Sequence, residues 1–499
     1  VPNVMDTWTM HIAEVGVFDA NATALEVQTI DLMEAAGQAV ASEAARIAES
    51  LEGAEHREIW VLCGPGNNGG DGFAASVSLK EMGHPVRIIA THVIQKGEAA
   101  EYHRSRCRDA GIKIDVWPMV SEESKPRMIV DSLLGSGTYG GKPRGDVAAV
   151  MQWINPHLDI VPVVACDIPT GFDSELMISA TSTVTFHSEK IGMRSEDGSI
   201  HHAIGRLCVA PLPWPKEVLD CGPGDALRYP PLDPDARKGD RGRLLVIGGG
   251  PYHGAPILSG DAAARCGCDL VHIAMPKEAR NRVEWPSHLI PESIPDEVTL
   301  TMSSVEHLIG RILSGRGVQS IVIGPGLGRG EETIRAVVRL LYIAAEGGIP
   351  VVVDADAIAA LPRGSWPEKL RGIVTPHSRE AEEWIGPEVA AIRPHLNVKN
   401  DPEGRVVIVT GSVDRLLGPF GRGCLATGGH PRMATGGTGD LLAGLCGGLL
   451  AQGMEPWPAA RLACALLREA GMEAVVSKGP GLVAGDVPVH IAETLAKWI

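Results

Sequence analysis

The stretch IWVLCGPGNNGGDGFAASVSLKEMG, Ile59–Gly83, predicts a buried strand, a glycine-rich turn and a helix in direct succession. The apolar run ends at Cys63, and the turn occupies Gly64–Asp71. The apolar side of the predicted helix consists of Phe73, Val77, Leu79 and Met82. Glycines let a backbone approach a ligand closely, and unpaired N–H groups at a helix N-terminus bind phosphate. A plain tight turn would also use these glycines, but the paired asparagines and Asp71 favour a ligand site.

Short apolar runs of strand length alternate with helical patterns along the whole chain. The runs lie at Glu58–Cys63, Pro85–Ala90, Met128–Leu134, Pro162–Cys166, Arg243–Ile247, Ser320–Ile323, Pro350–Val353 and Arg405–Val409. Such alternation is typical of parallel, doubly wound sheets. The sequence therefore predicts an α/β fold.

The segment Ala210–Arg241 interrupts this alternation, since it is rich in proline, glycine and charge. After it, RLLVIGGG at Arg243–Gly250 begins a new strand and glycine turn. A chain of 499 residues is also too long for one ordinary core. We predict two doubly wound domains, residues 1–218 and 225–499, each with its own sheet.

The composition restricts the partners and the compartment of the protein. With 61 acidic and 45 basic residues the net charge is −16, which argues against nucleic-acid or anionic-membrane partners. The ten cysteines form no CxxC pair and are predicted to be reduced thiols. No apolar run approaches the ~18 residues of a membrane span, and a secretion signal pattern is absent. We expect a cytoplasmic protein with small-molecule partners; the sequence leaves a homo-oligomer open.

Two further predicted strands end in carboxylates. Asp131 lies in MIVDSLLGSGTYGG and Asp167 in VVACDIPTGFD. The carboxyl ends of parallel strands share one edge of a sheet, so both are expected near Asn67 and Asn68. The alternative is that each aspartate caps the following turn or helix.

A second glycine-rich loop begins a helix in HPRMATGGTGDLLAGLCGGLLAQG, His430–Gly453. Amides of this loop can bind a nucleotide phosphate, and Asp440 at the helix start can accept a hydroxyl proton. A helix cap is again the alternative for Asp440. Gly444, Gly447 and Gly448 are predicted to serve close helix packing.

In the first half, GPGNNGGDGF, VDSLLGSG, DIPTG and TVTFHSEKIG resemble, in this order, the motifs of the NAD(P)HX epimerase domain. The resemblance implies a Rossmann-like domain in which Asp167 is the catalytic acid/base. It implies potassium as the cofactor, held by Asn68, Asp131 and Thr170. The residues that it implies for substrate binding are Asn67, Asn68, Gly69, Gly70, Asp71, Gly135, Ser136, Gly137, Thr138, Tyr139, Gly140 and Gly141.

In the second half, KGDRGRLLVIGGG, HGAPILSGDAA, IGPGLG, VVDADAI and VTPHSREAE resemble, together with the GTGD loop, the ribokinase-like NAD(P)HX dehydratase domain. The resemblance implies Asp440 as the catalytic residue, and substrate contacts from Ala255, Gly326 and His377. It implies Mg²⁺ with ADP or ATP as co-substrate. The implied nucleotide-binding residues are Thr410, Gly411, Ser412, Val413, Asp414 and Gly439.

Together these resemblances imply a nicotinamide-nucleotide repair enzyme. It would interconvert the R and S forms of NADHX or NADPHX and dehydrate the S form at the expense of ADP or ATP. Thr410 stands where the dehydratase family usually has a lysine, and His430 and Arg432 where it usually has asparagine and glycine. Two alternatives therefore stay open for the second domain: a ribokinase-like small-molecule kinase, and a degenerate nucleotide-binding module.

Overall fold

The computed structural model describes residues 9–120, 125–195, 197–313, 317–386, 396, 401 and 403–499. It divides into two compact units, an N-terminal unit of Thr7–Val218 and a C-terminal unit that includes Leu219–Ile499. The division lies inside the Pro-rich segment Ala210–Arg241.

The N-terminal unit is built on a seven-stranded sheet, ordered β3-β2-β1-β4-β5-β6-β7. Its strands are β1 Ile59–Cys63, β2 Val86–Ala90, β3 Lys113–Val116, β4 Met128–Ser132, β5 Val163–Cys166, β6 Ser182–Phe186 and β7 Arg206–Ala210. All neighbouring strands are parallel. The strand order reverses between β1 and β4, which places the first glycine-rich turn at that reversal.

Helices cover both faces of this sheet. They are α1 Ile12–Ala24, α2 Thr29–Glu49, α3 Asn67–Glu81, α4 Glu98–Asp109 and α5 Gly145–Leu158. Along β1 the side chains alternate: Val61 packs in the core with α2 and α3, whereas Trp60 and Leu62 pack in the core with α5. Because both faces are buried, the strand reads as a continuous apolar run.

The C-terminal unit is built on a nine-stranded sheet, ordered β10-β9-β8-β11-β12-β13-β14-β15-β16. Its strands are β8 Arg243–Ile247, β9 Leu270–Met275, β10 Leu289–Ser293, β11 Ser320–Ile323, β12 Val351–Val353, β13 Gly372–Val374, β14 Arg405–Val409, β15 Asp414–Leu417 and β16 Gly423–Ala426. From β10 to β14 the sheet is parallel. The last two strands are antiparallel, an addition to the predicted parallel sheet.

The helices of the C-terminal unit again cover both faces of the sheet. They are α6 Gly254–Arg265, α7 Lys277–Asn281, α8 Met302–Leu313, α9 Glu331–Glu346, α10 Ser378–Ile385, α11 Thr438–Ala451, α12 Pro456–Lys478 and α13 Val487–Trp498. Short 3₁₀ helices occur in both units. Ser136–Thr138 lies in the N-terminal unit, and Lys216–Leu219 lies where the chain passes from one unit to the other. Those of the C-terminal unit are Pro223–Arg228, Ala355–Ala360, Pro419–Gly421, Pro431–Met433, Gly479–Gly481 and Ala484–Asp486. The prediction of two doubly wound α/β folds is confirmed.

The glycines of α11 allow close packing. A Cβ on Gly444 would lie 2.0 Å from the Ser259 carbonyl oxygen of α6, and one on Gly448 would lie 2.9 Å from Ala263 Cα. A Cβ on Gly447 would meet Val322 of β11 at 2.3 Å. The predicted packing role of these three glycines is thereby confirmed.

The described helices contain none that combines the length and apolar composition needed to cross a bilayer. Most cysteines are buried, including Cys63 and Cys166, as small apolar core residues often are.

Residues 219–224, which the predicted boundaries leave between the domains, are bonded to the C-terminal unit. The buried Arg461 guanidinium pairs with Asp225 at 2.6 Å and donates to the carbonyl oxygens of Leu219 (3.0 Å) and Asp220 (2.8 Å). The Cys221 amide donates to the Leu425 carbonyl oxygen at 2.9 Å.

We expect fragments 1–218 and 219–499 each to fold alone, because each contains a sheet with both faces covered. Each should give an independent cooperative melt by circular dichroism. A matched fragment 225–499 should melt at lower temperature than 219–499, because Arg461 loses two carbonyl partners in a buried position. The outcome that contradicts two autonomous domains is that neither half is soluble and ordered.

Candidate active sites

A cavity of about 690 Å³ lies at the carboxyl ends of β1, β4 and β5, where the strand order of the N-terminal sheet reverses. Crevices at such reversals are the usual ligand sites of open α/β sheets. The cavity brings together the predicted residues Asn67, Asn68, Asp71, Gly135, Ser136, Gly137, Thr138 and Asp167. Three charged residues that were not predicted also line it, namely Asp19, Lys96 and Lys190.

Asp167 is held in one orientation at the cavity wall. The Ser136 amide donates to its Oδ2 at 2.7 Å, the Thr185 hydroxyl donates to Oδ1 at 3.4 Å, and Lys190 Nζ lies 3.5 Å from Oδ1. Its φ of 67° is in the left-handed region, which aspartate tolerates better than most residues. This anchored carboxyl can take up and return a proton of a bound substrate.

The cavity concentrates acidic groups around one buried cation. Burial, followed by the charge of Asp167, raises the pKa of Asp19 to about 6 and raises the pKa of Asp71 well above its usual value. Burial lowers the pKa of Lys190, while the Asp167 charge opposes that shift. A carboxyl group whose pKa is raised in this way is closer to the protonated form that general acid catalysis uses.

Asp131 and Thr170, two of the residues implied as potassium ligands, are buried and hydrogen-bonded to each other, whereas the third, Asn68, lines the cavity. Asp131 is fully buried; its Oδ2 accepts from the Thr170 amide at 2.8 Å and its Oδ1 from the Thr170 hydroxyl at 2.7 Å. Burial raises the pKa of Asp131 to about 6. Asn68 Nδ2 is buried and has no hydrogen-bond partner among the described residues. Carboxylate, amide and hydroxyl oxygens are the donors that hard cations take, so this set fits such an ion.

Several residues implied in substrate binding have other positions. Gly69 and Gly70 are buried. A Cβ on Gly69 would lie 2.0 Å from the Gly64 carbonyl oxygen, and a Cβ on Gly70 would lie 2.4 Å from Met33 Sδ. Their positions are explained by packing. Tyr139, Gly140 and Gly141 line two smaller depressions beside the cavity.

The second predicted site lies at the carboxyl ends of the parallel strands β8, β11, β12, β13 and β14, beside the start of α11. Ser259 of α6 connects two of its residues, since its hydroxyl contacts the carbonyl oxygens of Asp440 (2.8 Å) and Ala255 (3.3 Å). Gly326 has a φ of 68°, and a Cβ there would lie 2.2 Å from the Tyr252 carbonyl oxygen. Only glycine therefore fits that close approach.

Three aspartates set the electrostatics of this edge. Partial burial, helped by the charge of Asp356, raises the pKa of Asp440 to about 6. Asp354 is buried and accepts from the Thr375 hydroxyl at 2.6 Å; burial raises its pKa to about 8, and the Asp440 charge adds to the rise. Asp440 is thus close to the protonation state that a general base needs near neutral pH.

His377 and Thr410 lie side by side where β13 and β14 end, joined by a parallel bridge. The His377 ring is 57% exposed, and its Nδ1 caps α10 by accepting from the Arg379 and Glu380 amides. The ring is therefore accessible to a ligand. The Thr410 amide donates to the Pro376 carbonyl oxygen at 2.9 Å.

The loop Gly411–Asp414 is shaped by Arg468 of α12, which the sequence motifs did not indicate. Arg468 pairs with the Asp414 carboxylate at 2.9 Å and donates to the carbonyl oxygens of Ser412 (2.9 Å) and Gly411 (3.0 Å). Val413 of this loop is exposed, and Gly439 at the start of α11 is exposed as well. Thr410 stands where the family usually has a lysine, and Arg432 is a candidate to supply the positive charge that this lysine would carry. Its Nε donates to the Pro480 carbonyl oxygen at 2.6 Å.

The residues that sequence reasoning missed had weak local signals. Lys190 belongs to the quoted stretch TVTFHSEKIG, but nothing in its spacing pairs it with Asp167. Asp19 and Arg468 are charged residues within helices, and such residues usually lie on a solvated face. Their roles depend on which distant segment lies beside them.

Two family models match the chain. The model described as NAD(P)H-hydrate dehydratase matches residues 244–496, and the model described as YjeF-related protein N-terminus matches residues 29–192. Among solved structures, an ADP/ATP-dependent NAD(P)H-hydrate dehydratase from Bacillus subtilis, co-crystallised with ATP and Mg²⁺, is 22% identical with a TM-score of 0.45, covering 55% of this chain and 96% of that one.

Curated relatives match almost the full length. The bifunctional NAD(P)H-hydrate repair enzyme Nnr of Hyperthermus butylicus is 33% identical, over 97% of this chain and 91% of the relative. Those of Methanothermobacter thermautotrophicus (31%; 97% and 94%) and Pyrobaculum aerophilum (32%; 97% and 97%) are similar over the same extent. The chain therefore belongs to the family of bifunctional NAD(P)H-hydrate repair enzymes.

Proposed function

We propose that the N-terminal unit interconverts R and S NAD(P)HX and that the C-terminal unit dehydrates the S form with ADP or ATP as co-substrate. The observation that carries this proposal is the near-full-length similarity to bifunctional repair enzymes. In this chain Asp167 follows β5 at the carboxyl edge of the N-terminal sheet, and Asp440 lies in the first turn of α11 in the C-terminal unit.

In the epimerase reaction the hydroxyl on C6 of the hydrated ring leaves and returns on the other face. The ring nitrogen assists its loss, so the protein has to supply and recover one proton. We assign this proton transfer to Asp167, with the cavity providing the binding volume. Asn68, Asp131 and Thr170 would hold a potassium ion, which would supply a fixed positive charge.

In the dehydratase reaction, hydroxide is a poor leaving group, and phosphorylation of the C6 hydroxyl converts it into a phosphate ester that the ring nitrogen can expel. Loss of a proton from C5 then forms the C5–C6 double bond of NAD(P)H. We assign removal of the hydroxyl proton to Asp440. We assign binding of the nucleotide to Gly439 and to the loop of residues 410–414. Ala255, Gly326 and His377 would contact the hydrated nicotinamide. Mg²⁺ would neutralise charge on the nucleotide phosphates.

The test is recovery of the reduced-nicotinamide absorbance from separated S and R hydrates of NADH and NADPH, each with ADP, with ATP and with neither. We expect S hydrate to be repaired only with nucleotide, and R hydrate to be repaired through prior epimerisation. A phosphorylated product without recovered absorbance would identify a small-molecule kinase. Epimerisation without any nucleotide-dependent reaction would identify the C-terminal unit as a degenerate binding module.

Replacing Thr410 by lysine should tighten ADP binding by about tenfold. A lysine places a charge near the phosphates where threonine offers one hydroxyl, and charge-assisted hydrogen bonds contribute ~1.5–3 kcal/mol. Isothermal titration of ADP into wild type, Thr410→Lys and Arg432→Ala measures the effect. Arg432→Ala should change affinity little, because its guanidinium is bonded to the Pro480 carbonyl oxygen.

Two results would contradict this placement. Tight wild-type binding that neither substitution alters would show that the phosphates lie elsewhere. Weaker ADP binding in Arg432→Ala, with no gain in Thr410→Lys, would instead show that Arg432 supplies the positive charge that contacts the phosphates.

A further inference from the structure

Lys190 is a buried ammonium group at the wall of the epimerase cavity. Its side chain is 2% exposed. Its Nζ donates to Thr185 Oγ1 at 2.9 Å and to the carbonyl oxygens of Phe186 (2.6 Å) and Ser188 (3.2 Å). An ammonium has three donors, so these partners use all of them. Lys190 Nζ also lies 3.5 Å from Asp167 Oδ1, so its charge acts directly on that carboxylate.

Thr185 connects the two charged groups. Because its oxygen accepts from Lys190, its hydroxyl hydrogen is free to point elsewhere, and Asp167 Oδ1 lies 3.4 Å away. The Ser136 amide holds the other carboxylate oxygen at 2.7 Å. Both oxygens of Asp167 are thus fixed, one by a backbone amide and one by a hydroxyl that Lys190 orients.

Among the described residues, the other ionisable groups around Lys190 are acidic or neutral. Asp19 faces it from α1, Asp71 lies on α3, and Cys166 precedes Asp167. The charge of Lys190, after burial, helps to lower the pKa of His187 to about 3, which keeps that ring neutral. Lys190 is therefore the cation that balances Asp167 within this cluster.

We propose that Lys190 is a positioning residue for epimerisation: its hydrogen bond to Thr185 orients the hydroxyl that holds Asp167, and its charge attracts the same carboxylate oxygen. The inference rests on the proposed role of Asp167 as the proton-transferring group. It adds a requirement, because without Lys190 neither an oriented Thr185 hydroxyl nor an opposite charge would hold Oδ1 of Asp167 in place.

The experiment measures kcat and KM of epimerisation in the full-length protein, from pure R hydrate, for Lys190→Met, Lys190→Arg and Thr185→Val. In Lys190→Met we expect kcat to fall by about tenfold or more while KM changes by less than about twofold, because the group that transfers the proton is misoriented and the binding cavity is kept. Lys190→Arg keeps the charge and a donor for Thr185, so it should restore most of kcat. The matched control is Lys113→Met, which removes an exposed lysine of β3 and should leave both constants unchanged.

Thr185→Val separates orientation from charge. It removes the hydroxyl but keeps the cation, so kcat should fall several-fold while KM stays in place. It also keeps the inference testable if Lys190→Met does not fold. Wild-type kcat in folded Lys190→Met, or wild-type kcat in Thr185→Val, overturns the inference. Failure of the proposed function is distinct, since Asp167→Asn would then retain epimerisation.

Discussion

Replacing Asp167 by asparagine should slow the interconversion of R and S hydrates by ~10²-fold or more, because the amide cannot accept a proton. The fold should survive, since asparagine tolerates the positive φ of 67° at this position. The Ser136 amide can still donate to the remaining side-chain oxygen. Dehydration of pure S hydrate should keep its wild-type rate. The two rates are measured separately, as R-to-S conversion by chromatography and as absorbance recovery from S hydrate.

The matched control for this substitution is Asp159→Asn, which changes an exposed carboxylate at the end of α5. It should leave both rates unchanged. Equal loss of both activities in Asp167→Asn would indicate misfolding, and retained epimerisation would show that another group transfers the proton.

Replacing Asp440 by asparagine should abolish nucleotide-dependent dehydration, while ADP affinity and epimerisation change little. The substitution removes the proposed base but leaves the loop amides that bind phosphate. The thermal midpoint should not fall, because the charge of Asp440 disfavours ionisation of the buried Asp354 and the amide carries no such charge. Single-turnover assays measure dehydration, calorimetry measures ADP affinity, and a thermal melt measures the midpoint. The control is Asp235→Asn, which changes an exposed carboxylate. Substantial dehydration by Asp440→Asn would exclude it as the base.

The same assignment predicts the pH dependence of dehydration. Burial and the nearby Asp356 raise the pKa of Asp440 to about 6, so the carboxyl stays protonated below that pH. A base works only when ionised, and kcat should therefore rise with pH through about 6 and level off above it. A rate that falls over this range would require the protonated form and would reverse the proposed role.

The sequence predicted much of the fold because both faces of each central strand are buried. A strand such as β8 is then a continuous apolar run, and the predicted bounds Arg243–Ile247 match the structure. The antiparallel β15 and β16 did not follow from such runs, since they alternate buried and exposed residues at the edge of the sheet. Edge strands carry a weaker apolar signal than central ones.

Within the sites, the sequence by itself determined which strand ends carry carboxylates and glycine turns, because strand, turn and helix are local features of a few consecutive residues. Only the tertiary structure decided which of these groups share a cavity. It placed Asp131 behind the cavity wall and assigned Gly69 and Gly70 to packing. It also placed Lys190 beside Asp167 and Arg468 under the loop Gly411–Asp414. The physical reason is that ion pairs and burial depend on distances between segments far apart in the chain, whereas local patterns report only the conformation of neighbouring residues.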